Sequence, residues 1–375
     1  MMRIRFHSVV LTVLTLIASG CSSRGNKPIT IGAVFPLTGP AAQYGKYWRE
    51  GLELAIDDAV ATGMVKKGEV RLVAEDGETN PIKSVIAFQK LLAADKVVAV
   101  IPGTSGVILA IKPLANKAHV VIMNASAISP DIEDADDYSF SVLPDANIEG
   151  AFLAEFAYKT GKRRAGVLYR NDPSGKAFLD AFRKRLTELG GKIVFEDSQM
   201  PNEQDFKPYL TKIKSQAKMD ILFVASFGPE VATYLKQASE LGVKIPVLAY
   251  TTFNSPKVLE IAGAAANGVC YSAPAFDATS DDPAAKDIRA KLLTKYGQTE
   301  SNYYIAAHYD AMMLLLSGIS KGYRDSESLK TYLASLKTYQ GKSGTITFLK
   351  NGAATIPLRM YTVKEGKFAP FVMNK

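Results

Sequence analysis

Ser105 is the residue whose type and position best suit the binding of a charged group. It follows an apolar run at 97–101 that is typical of a strand, and it directly precedes a helical pattern at 106–117. The first amides of a helix are unpaired and form the positive end of its dipole, and a serine hydroxyl adds a further donor. The sequence therefore predicts a carboxylate-binding position at Ser105, with simple helix capping by this serine as the alternative.

The remaining ionisable residues do not form a pattern typical of catalysis or metal binding. Once a predicted signal peptide is removed, only His119 and His308 remain, and neither has a carboxylate or cysteine at metal-ligand spacing. The run from Gly341 to Ser343 suggests a phosphate loop, but Leu336 occupies the position of its first glycine. No Gly-x-Gly-x-x-Gly follows a strand. We therefore expect no catalytic residue, no metal and no cofactor.

Short β-branched runs alternate with longer helical patterns, and this alternation occurs twice. The first series predicts strands at 29–37, 70–74, 97–101 and 120–124 with helices at 39–62, 81–94 and 106–117. The second predicts strands at 165–169, 193–196, 221–225 and 246–250 with helices at 175–189, 206–216 and 230–241. Such alternation builds parallel sheets covered by helices on both faces. The fold class is therefore predicted as α/β, with two doubly wound lobes.

The chain is predicted to cross between the lobes three times. A break near Pro144-Asp145 separates the two series, and later helices at 284–296, 305–320 and 326–336 return to cover the first lobe. Two tail strands at 345–349 and 359–363, around an Asn351-Gly352 turn, are candidates for a bridge. These assignments give an N-terminal lobe of 29–144 plus 275–352, a C-terminal lobe of 145–274 plus 353–375, and a three-strand hinge. Open α/β sheets bind ligands at the carboxyl ends of their strands, which would face the cleft.

The N-terminus is typical of an exported lipoprotein. Arg3 and Arg5 precede an apolar run at 9–18 that is too short to span a bilayer, and small residues then lead directly to Cys21. We expect a signal peptide at 1–20, acylation of Cys21 and a tether at 21–28. Multiple acylation would anchor the chain to a membrane. Ordinary secretory cleavage nearby, with an incidental Cys21, is the alternative.

Composition and charge are those of a globular protein without a nucleic-acid partner. The 375 residues are 47% hydrophobic and 22% charged. Removal of Arg3 and Arg5 lowers the formal charge from +8 to +6, and no block of five or six basic residues occurs. Acylation of Cys21 would leave Cys270 as the single thiol, so we expect no internal disulfide.

A series of short motifs resembles the branched-chain amino-acid-binding proteins of ABC importers. The first is the run from Ile29 to Pro40, followed by Gln43-Tyr44-Gly45. The others, in chain order, are Glu75-Asp76-Gly77, Gly103-Thr104-Ser105, Asn124-Ala125-Ser126-Ala127, Gly228-Pro229-Glu230, Ile261-Ala262-Gly263, Tyr309-Asp310-Ala311 and Gly341 to Gly344 before Phe348. The resemblance covers nearly all of 29–371 and implies the type I periplasmic binding fold.

The resemblance also implies a set of ligand-binding residues. In such proteins a serine like Ser105 binds the α-carboxylate, and a tyrosine like Tyr44 closes over the ligand. Matched to the family motifs, the implied ligand-binding residues are Tyr44, Thr104, Ser105, Ser126, Ala127, Ile128, Ser174, Phe227 and Thr251. Core packing is the alternative for Tyr44, and a simple turn role is the alternative for Ser126.

The sequence departs from the family pattern where an amino-acid ammonium would bind. Ile128 replaces a threonine, and Ser174 and Phe227 stand where tyrosines are common. The acidic residue expected after Tyr250 is absent, because this chain has Thr251-Thr252-Phe253 there. Burying an ammonium without a carboxylate is costly. We therefore expect a carboxylate ligand with an apolar or aromatic body, unless Asp145 or Glu230 reaches the ligand.

Three classes of function are open to a chain with these features. The resemblance favours a monomeric receptor that captures an amino acid or related small carboxylate and delivers it to an ABC permease in the inner membrane. The alternative is a regulatory or envelope-assembly lipoprotein that uses the same fold to bind a protein. Ser22, after the lipidated cysteine, is compatible with outer-membrane sorting and thus with this alternative. An enzyme is disfavoured.

Overall fold

The first lobe is built on a five-stranded parallel sheet. The computed structural model describes residues 27–215, 218–276, 278 and 280–373. The sheet has the order β2-β1-β3-β4-β5, and all its neighbouring strands are parallel. Its elements are β1 (Ile29–Phe35), α1 (Ala42–Ala61), β2 (Val70–Asp76), α2 (Pro81–Lys90), β3 (Ala99–Pro102), α3 (Ser105–Ala118), β4 (Val121–Asn124) and β5 (Ser139–Ser141).

The second lobe repeats this architecture around parallel strands in the order β10-β9-β8-β6-β7. Its elements are α4 (Ala146–Lys159), β6 (Arg164–Arg170), α5 (Pro173–Glu188), β7 (Lys192–Gln199), α6 (Lys207–Ser215), β8 (Ile221–Ala225), α7 (Gly228–Glu240), β9 (Val247–Ala249), α8 (Pro256–Ala262) and β10 (Cys270–Pro274). The carboxyl ends of the central strands of each lobe border the space between the lobes.

The chain then returns to the first lobe before it ends in the second. The returning elements are α9 (Pro283–Tyr296), α10 (Tyr303–Ser320), α11 (Ser326–Ala334) and a small antiparallel sheet of β11 (Thr338–Gln340), β12 (Thr345–Phe348) and β13 (Ala354–Thr355). Finally β14 (Leu358–Lys364) and β15 (Lys367–Pro370) extend the second sheet by antiparallel pairing with β10 and with each other. The chain thus passes between the lobes three times, and the predicted two-lobed α/β fold is confirmed.

Alternation along the strands explains why both faces of the first sheet are covered. Ile31, Ala33 and Phe35 of β1 belong to the core that contains α1 and α10, whereas Val34 packs with residues of α2 and α3. Successive side chains of a strand point to opposite faces, so an uninterrupted apolar strand requires a helix layer on each side. Among the described residues, no helix has the length and hydropathy needed to cross a membrane.

Several predicted boundaries were wrong for identifiable reasons. Helix α1 begins three residues later than predicted, because a turn with Gly39 at a φ of +80° precedes it. The elements β5, α4, α8, β10, β11, β13 and β15 were not predicted. Strand β5 has three residues, two of them serines, and offers little β pattern. Cys21, the signal peptide 1–20 and most of the tether lie outside the described residues.

The two predicted tail strands lie in different sheets, and the chain makes its third crossing between them. Strand β12 pairs with β11 and β13, whereas β14 pairs with β10 and β15 in the other lobe. The Asn351-Gly352 turn therefore joins β12 to the two-residue β13, and Pro357 separates β13 from β14. Proline cannot donate a ladder hydrogen bond, which fits the end of pairing at this point.

A glycine at the contact between α1 and α10 provides a test of this packing. A Cβ atom on Gly51 would lie 2.4 Å from the carbonyl oxygen of Ile305 and 3.0 Å from Cβ of His308. At a solvent-exposed position inside a helix, Gly→Ala raises the stability by about 1 kcal/mol. Here the overpacking dominates, so we expect Gly51→Ala to lower the free energy of unfolding by about 1–3 kcal/mol in urea titrations followed by circular dichroism.

The matched control is Gly106→Ala in α3, where the added Cβ meets only Cγ of Pro81 at 3.9 Å. This variant should unfold at the same urea concentration as the wild type or slightly above it. Equal stability of the two alanine variants would contradict the described contact between α1 and α10.

Candidate ligand-binding cleft

A cleft between the two lobes contains most of the residues predicted to bind a ligand. Its empty space, open mouth included, is about 440 Å³. It is lined by Ala41, Tyr44, Trp48, Thr79, Thr104, Ser105, Ser126, Ala127, Ile128, Ser174, Phe227, Tyr250, Thr252 and Tyr304. All the predicted residues except Thr251 are in this set, and the cleft lies at the carboxyl ends of the strands as expected.

Ser105 is the first residue of α3, and its side chain does not cap the helix. Thr104 occupies the N-cap position and makes no side-chain capping bond. The Ser105 hydroxyl oxygen instead accepts hydrogen bonds from the amides of Ile128 and Ser129, both at 3.1 Å. Because the oxygen is occupied by two donors, the hydroxyl proton remains for an acceptor in the cleft. The capping alternative is therefore not what the structure shows.

The loop after β4 is held in shape by Asn124. The Asn124 side-chain oxygen accepts from the amides of Ser126 at 3.2 Å and Ala127 at 2.8 Å, and its amide group donates to the carbonyl of Ala127 at 2.8 Å. The Ser126 hydroxyl donates to the carbonyl of Gly103 at 2.6 Å. Ser126 therefore presents lone pairs to the cleft, whereas Ser105 has a proton to donate.

Aromatic side chains from both lobes form the apolar part of the cleft. The rings of Tyr44 in α1 and Phe227 at the start of α7 meet across it, with centroids 6.0 Å apart. Tyr304 contacts Tyr44 from α10 at 6.3 Å. Trp48, one helical turn after Tyr44, is both buried and part of the lining. The packing role considered for Tyr44 and Trp48 thus coexists with a position in the cleft.

Behind this wall lies a buried histidine. His308 stacks on Trp48 with centroids 5.4 Å apart, and its Nδ1–H donates to the carbonyl of Tyr304 at 2.8 Å. Its Nε2 has no hydrogen-bond partner within the described part of the chain. Burial disfavours the charged imidazolium and lowers the pKa of His308 to about 3. The residue is therefore a neutral packing element of the cleft wall.

Ion pairs hold the charged residues of the second lobe beneath the cleft surface. Arg170 is buried and bonds both Asp172, at 2.5 Å, and Glu230. The Arg170 guanidinium carbon lies 4.3 Å from the centroid of the Phe227 ring. The Ser174 hydroxyl donates to Asp172 at 2.6 Å, so Ser174 also offers only lone pairs to the cleft. The ion pairs thus fix Phe227 and Ser174 from behind.

No side chain among the described lining residues carries a charge. Glu230 also accepts from the amide of Asn202 at 2.6 Å and from the hydroxyl of Ser226. Asp145 accepts from the amide of Ile148 at 3.0 Å and caps α4, and burial raises its pKa. Neither carboxylate lines the cleft. The two carboxylates considered as partners for a ligand ammonium are therefore engaged within the protein.

Thr251 lies outside the cleft, contrary to the prediction. Its amide and hydroxyl both donate to Glu149 of α4, at 3.0 and 2.5 Å, and Ser272 of β10 donates to the same oxygen at 2.6 Å. Glu149 is fully buried, and burial raises its pKa. A buried carboxyl needs hydrogen-bond donors, which accounts for the inward orientation of Thr251. Its neighbours Tyr250 and Thr252 line the cleft instead.

The sequence missed the lining residues Ala41, Trp48, Thr79, Tyr250, Thr252 and Tyr304. Trp48 could have been predicted, because it follows Tyr44 by one helical turn and so lies on the same helix face. Tyr250 and Thr252 could have been predicted as the direct neighbours of Thr251. Thr79 lies in the connection between β2 and α2, and Tyr304 lies near the start of α10. Nothing local to either residue indicates the cleft, because tertiary packing brings them there.

Comparisons with known proteins agree with this geometry. A family model described as periplasmic binding protein matches residues 28–367. The chain is 27% identical over 363 residues to the Leu/Ile/Val-binding protein BraC3 of Rhizobium johnstonii, covering 92% of this chain and 95% of that protein.

Solved structures show the same fold. The branched-chain amino acid transporter substrate-binding protein LivJ of Streptococcus pneumoniae, in complex with isoleucine, has a TM-score of 0.82 and 25% identity over 91% of this chain and 98% of that chain. A solute-binding protein of an ABC transporter from Rhodopseudomonas palustris, in complex with 3,4-dihydroxybenzoic acid, has a TM-score of 0.80 and 24% identity over 90% and 93% of the two chains.

The neutral His308 predicts a specific pH dependence of stability. Its pKa is about 3 in the folded protein and about 6.5 when unfolded, so the unfolded chain binds the extra proton between these values. Above pH 6.5 His308 is neutral in both states, and its titration does not weaken the folded protein. As the pH falls towards 3, protonation of His308 in the unfolded chain progressively lowers the free energy of unfolding. We expect His308→Gln to remove this effect, so that the stability difference between wild type and variant shrinks by roughly 2–3 kcal/mol from pH 7 to 4.5.

The measurement is urea unfolding of both proteins across this pH range. His119→Gln is the control, because His119 is exposed and pairs with Glu327 at the surface. Parallel stability curves for the wild type and His308→Gln would contradict the assignment of a neutral, buried imidazole.

Proposed function

Because this chain belongs to the periplasmic binding protein family, we propose that it is the receptor of an ABC importer, which captures an amino acid or a related small carboxylate in its cleft. The family resemblance predicted from the sequence is confirmed by the family match and by the Leu/Ile/Val-binding relatives. The family consists of extracytoplasmic, non-enzymatic substrate-binding components of transporters. The importer role, the ligand and the anchor of this particular chain are proposals.

The observation that carries the proposal is the arrangement around Ser105. Its hydroxyl has a proton to donate, and the first turn of α3 has no side-chain cap to compete with a ligand. A carboxylate at this position receives charge-assisted hydrogen bonds and lies at the positive end of the helix dipole. An anion is therefore stabilised here without any cationic side chain in the lining.

The rest of the cleft favours an apolar or aromatic ligand body. Tyr44 and Phe227 provide aromatic surface from the two lobes, and Ile128 adds an aliphatic side chain. The uncharged lining offers no carboxylate to an ammonium, so transfer of an amino acid into the cleft leaves its ammonium without an ionic partner. The structural relative LivJ binds isoleucine. For this chain we favour acids in which the carboxylate is the main charged group.

The proposed mechanism is closure of the two lobes around the ligand. Three chain crossings permit rotation of one lobe against the other with little change inside either. We assign residues 29–144 plus 275–352 to one moving body and 145–274 plus 353–375 to the other. The contact between Tyr44 and Phe227 is the type of inter-lobe contact that closure would make. The partly aromatic lining between the lobes supports a small molecule rather than a protein as the captured partner.

The proposal extends to the membrane. Acylation of Cys21 and the tether 21–28 would hold a monomeric receptor at the extracytoplasmic face, where an ABC permease in the inner membrane receives the ligand. The supporting observation is the N-terminal sequence pattern, with its apolar run and small residues before Cys21.

Substitution of Ser105 tests the carboxylate position. A thermal-shift screen over amino acids, short organic acids and aromatic acids first identifies a binder. Calorimetry then compares the wild type with Ser105→Ala, and we expect about a ten- to hundredfold loss of affinity, the value of one hydrogen bond to a charged group.

Ser343→Ala is the matched control. Ser343 is equally buried, but its hydroxyl bonds Asp310 and it does not line the cleft. This variant should bind the same ligand with unchanged affinity. Equal affinities of the wild type and Ser105→Ala, or the failure of every acid in the screen to bind, would refute the proposed site.

A further inference from the structure

A chain of buried hydrogen bonds leads from the cleft loop to an acidic residue outside the cleft. Asn124, which shapes the loop, also donates from its amide group to the Ser141 hydroxyl at 2.7 Å. Ser141 ends β5, and its hydroxyl donates in turn to Oε1 of Glu133. The Ser141 hydroxyl thus accepts from Asn124 through its oxygen and donates its proton to Glu133. Each of these three residues is buried, so no bulk water replaces a lost partner.

The same loop is connected to the first crossing between the lobes. The amide of Ala146, the first residue of α4, donates to the carbonyl of Ile128 at 2.7 Å. The amide of Ser141 donates to the carbonyl of Gly352, in the turn before the third crossing, at 2.9 Å. This network of hydrogen bonds therefore joins the carboxylate position, the cleft loop and two of the three connections between the lobes.

Glu133 has a negative environment. The nearby charges of Asp145 and Asp137 both disfavour its ionisation. Lys112 is engaged by Asp134 at 2.7 Å and by Asp137 at 3.0 Å. Burial is the largest cause and raises the pKa of Glu133 to about 7, against the opposing effect of the hydrogen bonds from Ser141 and Asn124.

We propose that Glu133 is a positioning residue for the cleft loop 126–129, which it fixes through Ser141 and Asn124, and that its charge links anion capture at Ser105 to pH. Glu133 does not line the cleft. It acts on the ligand position only through the residues between them. The loop amides that it helps to place are those of Ile128 and Ser129, which occupy the Ser105 oxygen.

The direction of the pH effect follows from charge. A neutral carboxyl group keeps an oxygen that accepts from Ser141, so protonation of Glu133 preserves the positioning bonds. An ionised Glu133 adds a negative charge behind a site that takes up an anion. With a pKa of about 7, Glu133 is mostly ionised at pH 8 and mostly neutral at pH 6. A carboxylate ligand should therefore bind more tightly at pH 6, by about threefold for like charges separated by buried protein.

The positioning role is tested without any ligand. Amide hydrogen exchange of Ala127, Ile128 and Ser129 reports how firmly the loop is held. We expect Glu133→Ala to accelerate this exchange severalfold, because Ser141 loses its acceptor, and Glu133→Gln to leave it unchanged, because glutamine retains the acceptor oxygen. Circular dichroism confirms that each variant is folded. Unchanged loop exchange in Glu133→Ala would overturn the positioning role.

The pH link is tested by calorimetry with benzoate and 4-methylpentanoate as probes between pH 6 and 8. This arm rests on the proposed function. The wild type should lose about threefold in affinity as the pH rises through 7, whereas Glu133→Gln should show a flat profile at the tighter value. The control is Glu50→Gln, a buried carboxylate of α1 whose pKa burial also raises and whose partners Lys46 and Gln298 do not line the cleft.

The possible failures are distinguishable. An identical pH profile in the wild type and Glu133→Gln overturns the pH link while leaving acid binding in place. Failure of both acids to bind overturns the pH link together with the proposed function, and loop exchange still decides the positioning role. A change of profile in Glu50→Gln as large as that in Glu133→Gln would show a general effect of protein charge and would also overturn the specific link.

Discussion

The two hydrogen bonds that the Ser105 hydroxyl oxygen accepts from Ile128 and Ser129 are the interaction on which the cleft depends. They join the start of α3 to the loop after β4, so two separate strand ends of the first lobe form one surface. They also occupy the Ser105 oxygen, which directs its proton towards the cleft. The proposed recognition of an anion here would require no cationic side chain, because the hydroxyl, the helix amides and the dipole would act together.

The second lobe contributes uncharged side chains to the cleft lining. Arg170 is held between Asp172 and Glu230, and its guanidinium packs on the Phe227 ring. Removing one member of such a buried group would leave an uncompensated charge. The resulting loss of stability is much larger than the net stabilisation that the intact group provides. The arrangement therefore keeps these charges within the protein and presents aromatic and hydroxyl surface to the ligand.

The sequence predicted most of the architecture because its strands are short, apolar and regularly spaced. The predicted strand at 221–225 coincides with β8, and Ser105 was found because it lies between a strand end and a helix start. Ser126 was implied by the family resemblance. Thr251 was misplaced because its orientation depends on Glu149, a residue of α4 that sequence spacing does not connect to it. Tyr304 was missed because its position depends on the packing of α10 against α1.

Burial also explains the protonation states of three residues that no sequence motif identifies. Glu133, Glu149 and His308 are fixed by their surroundings, and burial favours the neutral form of each. The partners of Glu133 and Glu149 lie on other elements, so the network from Glu133 to the cleft loop becomes visible only in three dimensions. The fold thus places an uncharged, partly aromatic cleft above a layer of buried ionisable groups.

The most direct test of this account is calorimetry that compares leucine with its deaminated counterpart, 4-methylpentanoate, on the wild-type protein at neutral pH. An anion site in an uncharged cleft predicts that the two ligands bind within about tenfold of each other, since the carboxylate is recognised in both and no lining carboxylate pairs with the ammonium. Leucine binding more than about tenfold tighter would show that the ammonium is recognised and would contradict the account of the cleft.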